Sequence, residues 1–226
     1  MKIIGLIQAR EGSARFPGKV LEKIGDKSIL AHCFERSKQL PLDDVVVVTG
    51  PERLNRRIDR ECRDIGAPCL CYNDFDENNV MLRFLYAGLL YETDYILRIT
   101  ADAPLFDMDL NLKLVNQTNY DNEYKNTHYD YSTYYETDKD IPCIAYIPKG
   151  HFKELVSMDA LFRAYKQTLP ADREHVTPEI WKNPDKYKIK RIEITKDEIE
   201  LLPKCDINTY DDLKEIRRLY DKGIIK

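Results

Sequence analysis

The stretch KIIGLIQAREGSARFPGKVLEKIGDKSILAHCFERSKQ, residues 2–39, decides the fold. Residues 2–8 are an apolar, β-rich run, and residues 28–39 set Ile29, Leu30, Cys33, Phe34 and Ser37 at helical spacing. A polar loop joins them, so the unit reads strand, loop, helix. The loop carries Arg10, Arg15 and Lys19 among Gly12, Pro17 and Gly18, with one acid, Glu11, in their midst. Such a loop can wrap a polyphosphate, because glycine lets backbone N–H groups approach closely while the cations neutralise charge. It can equally be a solvated turn, since Arg and Lys are common in surface loops. Two familiar phosphate loops are excluded: five residues separate Gly12 from Gly18, Val20 follows Lys19, and no G-x-G-x-x-G occurs.

Outward from this unit the pattern repeats. VVVVT at 45–49 is apolar on both faces, as a covered central strand should be. Helical spacing at 52–65 and 79–92 alternates with a short strand at 68–72 and YILRIT at 95–100. Strands alternating with helices imply parallel pairing through right-handed crossovers, hence an open, mostly parallel α/β sheet with helices on both faces. Ligands of such sheets sit beyond the carboxyl ends of the strands, which groups the loops 9–19, 73–78 and 101–107.

From about residue 119 the pattern breaks. NYDNEYKNTHYDYSTYY packs six tyrosines among polar residues without an evident period, and 120–147 reads as an insertion, a lid or a subunit-contact arm. A strand is expected at 141–147, helices near 157–168 and 172–182, a strand near 186–194 and a last helix over 209–221. Thr209 suits the cap of that helix, with Asp211 and Asp212 in its first turn.

Composition narrows the function. With 226 residues, one α/β domain spanning 1–226 is expected. The balance of 35 basic and 39 acidic residues, net −4, argues against a general nucleic-acid or membrane-surface binder. MKIIGLIQAR is too short for a signal-peptide core or a membrane span, so a cytoplasmic protein is expected. The six cysteines form no C-x-x-C pair and read as buried thiols rather than disulfides or zinc ligands, with Cys69 and Cys71 on one face of a strand.

The opening is similar to that of the cytidylyltransferases of the spore-coat-polysaccharide type, relatives of the CMP-KDO and CMP-sialate synthetases. The pattern Q-A-R-x-G-S-x-R-x-P-G-K is matched by Gln8, Ala9, Arg10, Gly12, Ser13, Arg15, Pro17, Gly18 and Lys19. The resemblance continues in DDVVVVTG at 43–50, NVMLRF at 79–84, ILRITADAPLFD at 96–107, REHVTPEI at 173–180 and CDINTYDDLKEIRRLY at 205–220. It implies a Rossmann-like nucleotide-diphospho-sugar transferase fold and transfer of CMP from CTP to an acidic sugar or related surface-polysaccharide precursor. It further implies release of pyrophosphate, Mg²⁺ as cofactor, and a homodimer.

The same resemblance distributes the roles. Arg10 and Lys19, with Arg15, would hold the β- and γ-phosphates, beside Gly12 and Ser13. Gln8, the Ala9 backbone and Arg83 would meet the cytosine end. Asp102, after YILRIT, and Asp206, before the last helix, would be the metal ligands, with Mg²⁺ bridging the α-phosphate to the attacking oxygen. Little covalent chemistry is asked of the chain, since in-line positioning and charge neutralisation do most of the work.

Bland readings stand beside these roles. Asp206 suits a cap-region carboxylate, and Asp102 a turn ahead of Pro104. Arg98 is a substrate residue or a salt-bridged core arginine. His175, in an expected helix start at Arg173-Glu174-His175, is a base, an acceptor contact or structural.

The chain departs from the family in places. The usual P-D-G-x-D-x-E of the acceptor side reads Pro148-Lys149-Gly150-His151-Phe152-Lys153-Glu154, which keeps Glu154 as a substrate candidate but loses both aspartates. That inverts local charge and points to a more anionic acceptor or to lost activity. Glu11 stands where Met is usual, and Ala103 where Cys is common. The rival readings are a metal-dependent glycosyltransferase using a D-x-D pair, Asp74/Asp76 or Asp107/Asp109, and an inactive nucleotide-binding homologue.

Overall fold

The computed structural model describes residues 1–74, 76–147 and 149–224; Phe75 of the first D-x-D and Pro148 of the acceptor-side segment lie outside the described residues. In chain order the elements are β1 (Ile3–Gln8), the hairpin β2 (Lys23–Ile24) and β3 (Lys27–Ser28), α1 (Ile29–Ser37), β4 (Asp44–Thr49), α2 (Glu52–Asp64), β5 (Cys69–Cys71), α3 (Val80–Leu90) and β6 (Tyr95–Thr100). There follow α4 (Met108–Tyr124), β7 (Tyr131–Glu136), α5 (Cys143–Tyr146), β8 (Glu154–Ser157), α6 (Met158–Gln167), α7 (Pro178–Trp181), β9 (Ile189–Ile194), α8 (Lys196–Leu201) and α9 (Tyr210–Asp221).

Seven strands form one sheet in the order β5-β4-β1-β6-β8-β7-β9. β1 pairs parallel with both β4 and β6, and β7 with β9, whereas β8 runs antiparallel between β6 and β7. The first strand thus sits where the connections change direction, and the loops after β1 and β6 open side by side at the carboxyl ends. Alternation splits the core in two. Ile7, Val45, Val47, Leu97 and Ile99 face one helical layer that includes α1 and α9, and Ile4, Leu6, Val46, Val48 and Ile96 face the other, with α3 and α6. The expected α/β sheet with helices on both faces is the observed fold.

Several local expectations are corrected. The tyrosine-rich segment is regular for much of its length: α4 continues to Tyr124, and Tyr131–Glu136 is a strand inside the sheet. Its hydroxyls made it look polar, but Tyr134 Oη donates to the Leu110 carbonyl at 2.8 Å and Thr133 Oγ1 to the Lys153 carbonyl at 2.8 Å, so both side chains are buried. The span 141–147 is a short helix behind Pro142, not a strand, because Pro142 fits the start of a helix. No helix begins at Arg173: Pro170–Asp172 is a 3₁₀ turn, Val176 has φ +69°, and helix resumes only at Pro178. Thr209 caps α9 as expected, in a reciprocal capping box with Asp212.

Candidate active site

Two adjoining cavities open at the carboxyl ends of β1 and β6. One, of about 370 Å³, is walled by the 8–19 loop, Arg83, Glu174 and His175; the other, of about 580 Å³, by α5, Gly150–Glu154, Thr177–Trp181 and Asp206. Arg98, Thr100, Asp102, His175 and Asn208 line both, so the pair is one crevice with Asp102 on the divide.

The cations of the opening loop are held by acids and amides. Lys19 Nζ donates to Asp102 Oδ2 at 2.8 Å and to the Ile207 carbonyl at 2.7 Å. Arg10 reaches Asn78 Oδ1 at 3.1 Å and Glu174 Oε1 at 2.6 Å, and Arg15 reaches Asn208 Oδ1 at 3.2 Å. Gly18, at φ +70°, makes the turn that carries Lys19 back toward the crevice. Gly12 is exposed, and the Ser13 hydroxyl accepts the Phe16 amide at 3.4 Å, which tightens the loop. Gln8 ends β1 in the floor, and the Ala9 amide is bonded to Val48 at 3.2 Å. Glu11 turns to α2, where Oε1 accepts the Arg57 amide at 2.8 Å.

The loops that carry Asp102 and Asp206 are spliced together, and both residues line the larger cavity. The Ile207 amide donates to the Asp102 carbonyl at 2.8 Å and the Cys205 amide to the Lys149 carbonyl at 2.9 Å, which fixes Asp206 between them. Gly150, at φ +78°, permits this approach, since a Cβ there would stand 2.9 Å from Ala103 and 3.0 Å from Asp206. Burial pushes the Asp102 carboxyl up, but the Lys19 charge and hydrogen bonds from Lys19 and Thr100 outweigh it, leaving it below its ordinary value. Burial, reinforced by Asp102 and opposed by Lys204, raises Asp206.

One Asp206 oxygen takes Asn208 Nδ2 at 2.5 Å; the other, Oδ1, is buried and accepts no hydrogen bond. The Lys204 ammonium lies 4.0 Å from Oδ1, and a carboxylate oxygen without a hydrogen bond near a second carboxylate suits a small divalent cation. The residues therefore fit a metal of the Mg²⁺ class. Thr209, not Asp206, caps α9, while Asp102 does sit in a turn ahead of Pro104, so its bland reading stands beside the metal role. Gln8 Oε1, Arg83 Nε and Arg98 Nε are likewise buried without partners, all on residues lining the crevice. Buried polar groups without a partner are available to a polar ligand in the crevice.

Arg83 is 2 % exposed, donates to the Glu77 carbonyl at 2.6 Å, and is lowered by burial to about 10, so it keeps its charge at neutral pH. Arg98 is bound through Nη1 to Glu154 Oε2 at 2.6 Å, directly across the β6/β8 ladder. Glu154 is fully buried, and its other oxygen accepts the hydroxyls of Tyr131 and Thr177. Its carboxylate therefore serves to hold Arg98 in the wall.

Sequence reasoning missed Asn208, which joins Arg15, Lys19 and Asp206, and Lys153, which stands in the wall of the larger cavity. An asparagine before a capping Thr and a lysine in a strand approach carry no motif. Lys153 is 2 % exposed, donates to the Gly150 carbonyl at 2.8 Å and lies 4.7 Å from the Phe106 ring centre. Lys149, by contrast, points elsewhere: its ammonium caps the end of α8 through the Ile199 and Leu202 carbonyls, each at 2.7 Å. The expected charge inversion from Lys149 is thus absent from the cavity, and Lys153 supplies a cation instead.

The D-x-D pairs do not build a site. Asp74 and Asp76 are exposed and line neither cavity, Asp76 Oδ1 accepts the Asn78 amide at 2.8 Å, and Asp107 is the N-cap of α4. The glycosyltransferase reading loses its residues.

An open α/β sheet whose first loop aims cations at a paired carboxylate is the architecture of a nucleotidyltransferase. The cytidylyltransferase family model matches residues 4–225, and the chain belongs to that family. It is 36% identical over 200 residues to an uncharacterised protein, MJ1063, of Methanocaldococcus jannaschii, covering 85% of this chain and 72% of that one. To the spore coat polysaccharide biosynthesis protein SpsF of Bacillus subtilis it is 27% identical over 230 residues, covering 98% and 87%. A cytidylyltransferase from Leptospira borgpetersenii superposes with a TM-score of 0.82 at 26% identity, covering 98% of this chain and 87% of that one. A CMP:2-keto-3-deoxy-manno-octonic acid synthetase solved with CTP shares the fold, with a TM-score of 0.72 at 17% identity over 99% and 100%. No helix among the described residues is long and apolar enough to cross a membrane.

Proposed function

We propose that this enzyme transfers CMP from CTP to an anionic sugar or related polysaccharide precursor, releasing pyrophosphate, with Mg²⁺ held by Asp102 and Asp206. The observation that carries the reading is the position of Asp102: it pairs with Lys19 of the opening loop at 2.8 Å and lines both cavities, the larger of which Asp206 also lines. A divalent cation there supplies charge neutralisation and Lewis-acid polarisation at a triphosphate's α-phosphate.

The chain's own groups do the rest. Arg10, Arg15 and Lys19 take the β- and γ-phosphates in exchange for their present partners and stabilise the departing pyrophosphate. Gln8 and Arg83 carry unmet polar atoms to the base end of the smaller cavity. Arg98 and Lys153 receive the acceptor's negative charge in the larger one. His175, in the wall of both, is placed to accept the proton of the attacking hydroxyl. Residues 137–147 act as a lid over the acceptor, since Ile144, Ala145 and Ile147 line its cavity. A homodimer in the cytoplasm belongs to the same reading, and sedimentation checks its size.

CTP with Mg²⁺ is expected to raise Tm more than ATP, GTP or UTP do. Pyrophosphate release should then appear with 2-keto sugar acids or phosphorylated sugars and not with neutral ones. Equal shifts for all four nucleotides, or release only with neutral acceptors, overturn the assignment.

A further inference from the structure

Away from the crevice, α2 and β5 bring thiols and a carboxylate together. β5 is an edge strand, so Cys69 and Cys71 project from one face, and α2 packs there. α2 offers Asp59 and Cys62, three residues apart and hence on one side of the helix. A carboxylate oxygen of Asp59 and the Sγ atoms of Cys69 and Cys71 all lie within 4.8 Å of one another. The neighbouring Cys62 thiol raises the Cys69 pKa above its ordinary value. The cysteines are free; Cys62 is buried, while Asp59, Cys69 and Cys71 are half-buried, which leaves an entry path from solvent.

Simple packing accounts for thiols at this interface but not for a carboxylate set over them. Asp59 pairs with Arg63, one turn along α2 and 73% exposed, and an exposed pair of that kind is worth little. Asp59 can therefore turn to a cation at small cost.

We propose that Asp59, Cys69 and Cys71 form a binding site for one thiophilic divalent cation of the zinc class. These three ligands, with sulfur at about 2.3 Å and carboxylate oxygen at about 2.1 Å, would leave the fourth tetrahedral position to a water from solvent. Each thiol that becomes a ligand releases one proton to solvent. Sulfur-rich and oxygen-only sites select different metals, so this cation does not compete with one on Asp102 and Asp206. Bound there, it would clip α2 to β5 and brace Asn55 of α2, whose side chain accepts the Glu11 amide at 2.9 Å.

The test is a Co²⁺ titration of the chelator-treated, phosphine-reduced full chain in excess Mg²⁺. The expected result is a thiolate-to-cobalt charge-transfer band in the near ultraviolet, saturating at one equivalent and erased by Zn²⁺. Cys69→Ser/Cys71→Ser should lose the band, Cys143→Ser should keep it, and Asp59→Ala, at a half-buried position on α2, should weaken binding about tenfold or more. Saturation without a charge-transfer band, a band that survives the double substitution, or unchanged affinity in Asp59→Ala overturns the proposal. No measurement of nucleotidyl transfer enters, so its fate is separate from that of the proposed reaction.

Discussion

Glu11 gives its carboxylate to the backbone amide of Arg57, at 2.8 Å, and not to Arg10, Arg15 or Lys19. That amide needs a partner because α2 is broken at Asn55, with φ −132° and ψ 27°, so a new helical turn begins there. The acid in the opening loop is therefore a cap. Glu11→Ala should lower stability by about 0.5–2 kcal/mol, as other lost caps do, read as a fall in Tm. The KM for CTP should change less than threefold; a marked tightening would show that Glu11 repels the triphosphate.

Asp102 and Asp206 should respond oppositely to pH. Asp102, held below its ordinary value, contributes stability above its unfolded pKa that is lost as pH falls through the folded one. Asp206, raised by burial, costs stability as pH rises past its unfolded value. Asp206→Asn should then raise Tm at neutral pH by roughly 2–4 °C, an effect that fades toward about pH 3, where the unfolded carboxyl is protonated too. Turnover in the same variant should drop at least about a hundredfold, measured as pyrophosphate release. A lowered Tm at pH 7 would refute the picture of a strained carboxylate.

Lys153 and Lys149, four residues apart, should separate cleanly. Lys153→Met keeps the volume and should raise the acceptor KM about tenfold or more while leaving the KM for CTP unchanged. Burial lowers the Lys153 ammonium, so acceptor affinity should decline as pH rises through that lowered value. Lys149→Ala should instead leave both KM values alone and cost about 1 kcal/mol through the end of α8. An acceptor KM that moves with Lys149 would reverse these roles.

Arg98 and Glu154 form a buried pair with side-chain exposures of 10% and 1%. Glu154→Leu should cost about 3–5 kcal/mol, because it strands a buried guanidinium, whereas Arg98→Met/Glu154→Leu should recover much of that loss. A denaturation cycle on the two single variants and the double one measures the coupling.

The first half of the chain was legible because β1 and β4 are apolar runs and Arg10 and Asp102 follow strand ends closely, with Lys19 at the far end of the first loop. The second half was not. The helix α4 buries Asn111, Thr118 and Asn122, so its apolar period is broken, and β7 buries Thr133 and Tyr134, whose partners are distant in sequence. β8 is four residues long and antiparallel, without a local signal of either kind. Asn208 and Lys153 acquire roles only through the loops that Gly150 lets together.

The cross-strand position of Arg98 and Glu154 divides the larger cavity, the proposed acceptor pocket, into a side that can drift and one that cannot. A change at Glu154 disturbs the central ladder, so that wall must pass unaltered from one substrate to the next. The opposite wall, Ile144–Ile147 and Pro178–Trp181, belongs to two single-turn helices outside the sheet. Libraries built there can alter acceptor choice while the strand register is left untouched.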